Sequence, residues 1–173
     1  MIIRPTQAQD IESICSIYGH HVVHGTGTFE TEAPTVAEMQ RRWLSIVELG
    51  MPHLVVTSAQ VVLGFAYAQP FRPRQAYRHT LEDSIYLAPE ASGRGLGRSL
   101  MAELIRRAEQ LDARQMVAVI GDSANQASIG LHAALGFHHT GQLSSSGWKH
   151  GRWLDVVLMQ RPLGTGDAEP PRA

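Results

Sequence analysis

The stretch from His79 to Gln110 changes character twice, and that succession restricts the fold more than anything else in the chain. Leu81, Ile85 and Leu87 stand at alternate positions, as one face of a buried strand, and Pro89 ends the run. Ser92-Gly-Arg-Gly-Leu-Gly-Arg98 follows, and Leu100, Met101, Leu104, Ile105 and Ala108 then recur at helical spacing. A strand that passes through a glycine turn into a helix leaves the backbone N–H groups of Gly93, Gly95 and Gly97 unobstructed at the positive end of the helix dipole, where an anion is held. Arg94 and Arg98 add guanidinium groups that grip phosphate oxygens in pairs, which suits a pyrophosphate. The plain structural alternative is a tight turn with solvated arginines. Spacing excludes two familiar cradles: the chain has no Gly-Lys-Ser/Thr nucleotide loop, and Arg98 or Leu100 stands where a dinucleotide loop needs glycine.

The remaining pattern surrounds this unit with alternating elements. Ile2 to Arg4 reads as a short strand, Asp10 as the cap of a helix carrying Ile11, Ile14, Ile17 and Tyr18, and His20 to Glu32 as an irregular Gly/Thr-rich segment. A second helix starts at Pro34-Thr35 and stops at Gly50. His53 to Ser58 and Val61 to Gln69 are separated only by Ala59-Gln60, the spacing of an antiparallel hairpin, although the turn lacks its preferred glycine. Met116 to Ile120 is a wholly apolar strand expected to be buried on both faces, Asn125 to Leu135 a helix, and Phe137 to Gly141 and Trp153 to Gln160 two last strands joined by a polar loop. The tail from Gly164 is polar and rich in Pro and Gly, the composition of a disordered segment.

At 173 residues the chain can bury one substantial core, so both substrates of any reaction share one domain. A formal charge of -1 gives no global attraction to nucleic acid or an anionic membrane. Cys15 is the single cysteine, so no internal disulfide forms, and no apolar run approaches a membrane span; a cytoplasmic protein without an exported or membrane-bound form is expected. His20 and His24 have i,i+4 spacing but no carboxylate motif beside them, so no metal is assigned.

Ala88-Pro-Glu-Ala-Ser-Gly-Arg-Gly-Leu-Gly-Arg98, followed by Asn125-Gln-Ala-Ser-Ile-Gly-Leu-His-Ala-Ala-Leu-Gly-Phe137, resembles the acetyl-CoA-binding half of the GNAT acetyltransferases. Arg78-His-Thr-Leu-Glu-Asp-Ser-Ile-Tyr-Leu87 and Lys149-His-Gly-Arg-Trp-Leu-Asp155 extend the likeness to the branch that acetylates phosphinothricin and methionine sulfone or sulfoximine, with its resistance to such analogues. The likeness covers residues 2 to 163; Ser92 departs from it, standing where the family usually has Gln or Arg. It implies a single α/β domain over residues 1–163, with a mixed, mostly antiparallel sheet flanked by helices and splayed after the strand that ends at Leu87, and a homodimer. It further implies acetyl-CoA as co-substrate, held by Ile85, Tyr86, Leu87, Gly93, Arg94, Gly95, Leu96, Gly97, Arg98, Asn125, Ser128 and His132.

A free amine is largely protonated at neutral pH and cannot attack a thioester until a base removes a proton. By resemblance that base is Glu82, the Leu87 N–H steadies the oxyanion, and His132 protonates the departing thiolate or orients the coenzyme. Without the resemblance Glu82 reads as a solvated strand carboxylate, Asn125 as a helix cap and His132 as a structural histidine. Asp83, next to Glu82, points to the opposite face of the strand. Arg72, Arg74 and Arg78 bring guanidinium groups for a substrate carboxylate and a phosphinate, sulfone or sulfoximine oxygen. Gln75, Ala76 and Tyr77 would wall that pocket, Phe29 and Glu30 would cover it, and Lys149 would sit in the loop between the last strands, near a partner subunit's site. The small amine is thus the expected partner, with neither nucleic acid nor membrane. Competing readings are a protein or peptide N-terminal acetyltransferase, which needs an open groove, and a non-catalytic acyl-CoA-binding regulator, which has no use for Glu82.

Overall fold

The computed structural model describes residues 1–171. Seven strands form one sheet in the order β1-β2-β3-β4-β5-β7-β6: β1 Ile2–Pro5, β2 His53–Ser58, β3 Val61–Pro70, β4 Thr80–Leu87, β5 Gln115–Gly121, β6 His138–Lys149 and β7 Arg152–Pro162. Only β4 and β5 run parallel. Helices α1 (Ile11–His24), α2 (Val36–Glu48), α3 (Leu96–Gln110) and α4 (Gln126–Ala134) complete the domain. The mixed, mostly antiparallel α/β architecture expected from the sequence is therefore present.

Local chemistry accounts for most boundaries. Thr35 caps α2 by accepting a hydrogen bond from the Glu38 N–H, and Asn125 caps α4 by accepting from the Ser128 N–H. Asp10 precedes α1 but does not cap it. Its carboxylate takes Arg4 at 2.6 and 2.8 Å and the Gln7 N–H at 2.8 Å, which ties the first strand to the first helix. Helix α1 runs on to His24, into the segment expected to be irregular, before Gly25 ends it. The β2–β3 hairpin closes with Ala59 and Gln60 at φ 47° and 66°, so the two-residue turn forms despite lacking glycine.

Two expectations at the C-terminal end change. The polar loop between the last strands is mostly strand: β6 and β7 extend to Lys149 and from Arg152, with register shifts between His139 and Gly141 and between Leu143 and Gly147. Residues 164–171, expected to lack structure, begin in turns with Gly166 bonded to the Leu163 carbonyl, and Arg114 reaches Thr165 and the Pro170 carbonyl; Arg172 and Ala173 of that tail lie outside the described residues. Likewise β5 is not buried on both faces, since Val119 is 37% exposed where the sheet opens.

Leu54, Val55, Val56, Phe65 and Ala66 of the central strands pack with Leu100, Met101 and Leu104 of α3 in a core that excludes solvent. The core fixes β4, and β4 positions the site.

Candidate active site

Strand β4 separates its residues between two environments. Leu81 and Asp83 are buried on one face, in line with Ile85 and Leu87, while Glu82, Ser84 and Tyr86 project from the other. The hydrogen bonds from the Phe71 N–H to Thr80 and from the Ala88 N–H to Leu63 set the phase of the β3–β4 ladder. Even-numbered residues of β4 therefore bond to β3, and the backbone groups of Leu81, Asp83, Ile85 and Leu87 face β5. Pairing with β5 ends at Asp83 and Ala118, so beyond that point the groups of Ile85 and Leu87 face an opening instead of a strand.

That opening is a cavity of about 590 Å³. Backbone from β4 and β5 forms its walls, the glycine turn lies at one end, and α4 contributes Asn125, Ser128, Leu131 and His132. Gly93 and Gly95 have φ of 73° and 76°, and nothing lies within 4 Å of where a Cβ would stand on either. The turn is thus built for backbone exposure at the start of α3. Gly64 serves the same strand from behind: a Cβ there would come within 2.5 Å of Leu87 Cδ2 and 2.8 Å of the Tyr86 carbonyl.

Ile85, Tyr86, Leu87, Gly93, Gly95, Gly97, Arg98, Asn125, Ser128 and His132 all border this cavity, whereas Arg94 does not and Leu96 is buried in the core. Both ends of the Asn125 side chain are used internally, one on the Ser128 N–H and one on the Gly121 carbonyl. Tyr86 borders the cavity, while its ring packs against Tyr18, Phe65 and His21.

The opposite face holds the remaining predicted residues. Glu82 lies 3.8 Å from Arg72, and burial raises its pKa, an effect that Arg72 opposes and Asp83 reinforces. Arg72 also stacks on Phe71, while Arg74, Gln75, Ala76, Tyr77 and Arg78 form an exposed turn just before β4. Glu30 accepts hydrogen bonds from Tyr18 and Arg42, so its carboxylate is already committed within the chain. Phe29 lies over Gly147 so closely that any Cβ there would strike its ring. Lys149 ends β6 instead of occupying a loop, and it is buried, donating to the Thr28 carbonyl at 2.8 Å. It anchors the segment before Phe29 within its own chain.

His21 and Asp83 are among the cavity residues that the sequence did not assign to the site. His21 Nε2 donates to the Leu87 carbonyl at 2.8 Å, fixing the end of β4 from α1. Asp83 Oδ1 meets His132 Nε2 at 3.0 Å, both side chains being 2% exposed. The alternation of β4 placed Asp83 on the inner face, but nothing in the sequence linked it to a histidine 49 residues away. Among the described residues, no three His, Cys, Asp or Glu side chains gather as a metal site, and no helix is long and apolar enough to cross a membrane.

A family model described as acetyltransferase (GNAT) family matches residues 17–137. A phosphinothricin N-acetyltransferase from Alcaligenes faecalis is 50% identical over 98% of this chain and 86% of its own length. An L-methionine sulfoximine/L-methionine sulfone acetyltransferase from Salmonella typhimurium is 38% identical over 94% of this chain and 95% of its own. The crystal structure of a phosphinothricin acetyltransferase from Sinorhizobium meliloti in complex with AcCoA superposes with a TM-score of 0.96 at 47% identity, over 99% of this chain and 92% of that one.

Proposed function

Because this chain belongs to the GNAT acetyltransferase family, and so is an acetyl-CoA-dependent N-acetyltransferase, we propose that its acceptor is the α-amine of a small amino-acid-like substrate of the phosphinothricin, methionine sulfone or methionine sulfoximine kind. The observation that carries this reading is the arrangement of β4, with a cavity bounded by glycines on one side and a carboxylate beside an arginine-bearing turn on the other.

The residues fit acetyl-CoA. Gly93, Gly95 and Gly97 at the start of α3 offer backbone to its pyrophosphate, with Arg98 beside them, and the free edge of β4 offers Ile85 and Leu87 to its amides. When bound, it supplies an acyl thioester as electrophile. Glu82 takes the proton from the substrate ammonium, and its raised pKa keeps it basic enough for that task. The Leu87 N–H, held by the His21 bond to the same residue's carbonyl, polarises the acyl oxygen. Arg74 and Arg78 receive the substrate's acidic groups.

Residues 1–163 form the catalytic domain on this reading, and the protein works in the cytoplasm as a homodimer. Support for the dimer comes from the edge hairpin, where Trp148 and Trp153 pair across β6 and β7 at 5.2 Å yet stay 58% and 59% exposed.

The test is release of CoA thiol from acetyl-CoA across phosphinothricin, methionine sulfone, methionine sulfoximine, ordinary amino acids, short peptides and an aminoglycoside. Turnover concentrated on the first three is expected. Turnover on peptides alone would replace the reading with N-terminal acetylation, and tight acetyl-CoA binding with no turnover on any amine would replace it with a regulator.

A further inference from the structure

Asp83 and His132 form a buried pair that the steps above do not use. The Ser128 carbonyl lies 2.7 Å from His132 Nδ1 and can only accept, so Nδ1 carries a hydrogen. A bare Nε2 facing an ionised Asp83 at 3.0 Å would set two lone pairs against each other, so that contact also holds a proton. The other carboxylate oxygen, Asp83 Oδ2, is buried without a partner among the described residues. Both residues border the cavity, and Asp83 is the last residue of β4 to pair with β5 before the sheet opens. The surroundings are otherwise apolar: Ala68 and Ala118 flank Asp83 on β3 and β5, and Phe137 meets the imidazole edge-on at 5.0 Å. Of the other titratable groups, Glu82 projects from the far face of β4, and His21, Arg98 and Asp122 border the same cavity.

We propose that Asp83 is a positioning residue for acetyl transfer, holding His132 as an imidazolium whose Nε2 proton neutralises the thiolate that leaves the thioester. This rests on the acetyltransferase reading above. The balance is simple: the amine lone pair forms the N–C bond after Glu82 has taken a proton, the C–S bond breaks with its electron pair on sulfur, and the Nε2 proton leaves its bond with Asp83 and passes to that sulfur. The pair then stands one proton short and recovers it from solvent, to which Glu82 returns its own. Nδ1 is committed to the Ser128 carbonyl, so Nε2, which the carboxylate keeps protonated, is the ring nitrogen with a proton to give.

Nitrogen-15 NMR of the histidine rings in the wild-type protein tests the protonation without any substrate. His132 is expected to be protonated at both nitrogens at pH 7, and an unprotonated Nε2 there would overturn the proposal. In Asp83→Asn, kcat is expected to fall roughly 10- to 100-fold with the KM for acetyl-CoA within about 3-fold. The alkaline limb of kcat should move to lower pH, because the carboxylate that stabilises the imidazolium is gone. If Asp83→Asn instead kept the wild-type kcat and pH profile, the role would be lost. Should that variant fold poorly, His132→Gln reads the same step, and the double variant is expected to be no slower than the worse single one. A doubly protonated His132 in a protein that acetylates none of the panel amines would refute the substrate reading and leave the geometry standing.

Discussion

Glu82 and Asp83 are neighbours in sequence and opposites in environment. Glu82 keeps 21% of its side chain exposed and has an arginine at 3.8 Å, whereas Asp83 keeps 2% and has a histidine at 3.0 Å. Burial raises both pKa values, yet the partners differ in kind. Arginine is a permanent cation, so Glu82 can exchange its proton while the charge beside it stays fixed. Histidine can itself lose a proton, so Asp83 and His132 titrate as a unit. The alternation of one strand thus sets a solvent-linked carboxylate and an enclosed, histidine-paired one within one residue of each other.

The comparison breaks most sharply at Glu82. Glu82→Gln is expected to lower kcat by about 10²- to 10⁴-fold while leaving the acetyl-CoA dissociation constant within about 2-fold, measured by CoA release and calorimetry. Unchanged turnover would move the base elsewhere. Gly64→Ala challenges both faces at once, because its methyl would meet Leu87 and the Tyr86 carbonyl. A loss of about 1–3 kcal/mol in stability is expected, with a lower melting temperature and slower turnover. Arg74→Ala probes the proposed acceptor side alone. It should raise the KM for a carboxylate-bearing amine roughly 10-fold, about the effect of losing one charge-assisted hydrogen bond, and leave acetyl-CoA untouched.

The smallest effect is the most diagnostic. On the proposed reading Glu82 acts as a base when ionised, so turnover falls as pH drops through its folded pKa, which burial raises above its ordinary value. Arg72 pulls the value back down. Arg72→Ala should therefore shift the acidic limb of kcat at saturating amine to higher pH, and leave the alkaline limb, assigned to His132, where it was. Movement of both limbs together would show that the two faces are not independent.

The sequence revealed the two sides of β4 unequally. The strand, glycine turn and helix on the cavity side were legible because their signals are local: alternation through Leu87, three glycines, then helical spacing from Leu100. The Asp83–His132 contact was not, since it joins a strand to a distant helix and neither residue breaks its own periodicity. Lys149 was misplaced in a loop because β6 is polar on both faces, and a strand without alternation leaves no pattern to read. Its burial under Thr28 depends on where the segment before Phe29 comes to rest, which no spacing along the chain encodes.

The early end of β4–β5 pairing also bears on how the protein behaves without its coenzyme. Beyond Asp83 and Ala118 the sheet contains two facing strand edges inside one domain, the kind of unpaired backbone that elsewhere recruits a foreign chain. Here α3, α4 and residues 25–27 close around the gap. On the proposed reading the coenzyme takes the place of the missing ladder, and its binding site doubles as a guard against misassociation.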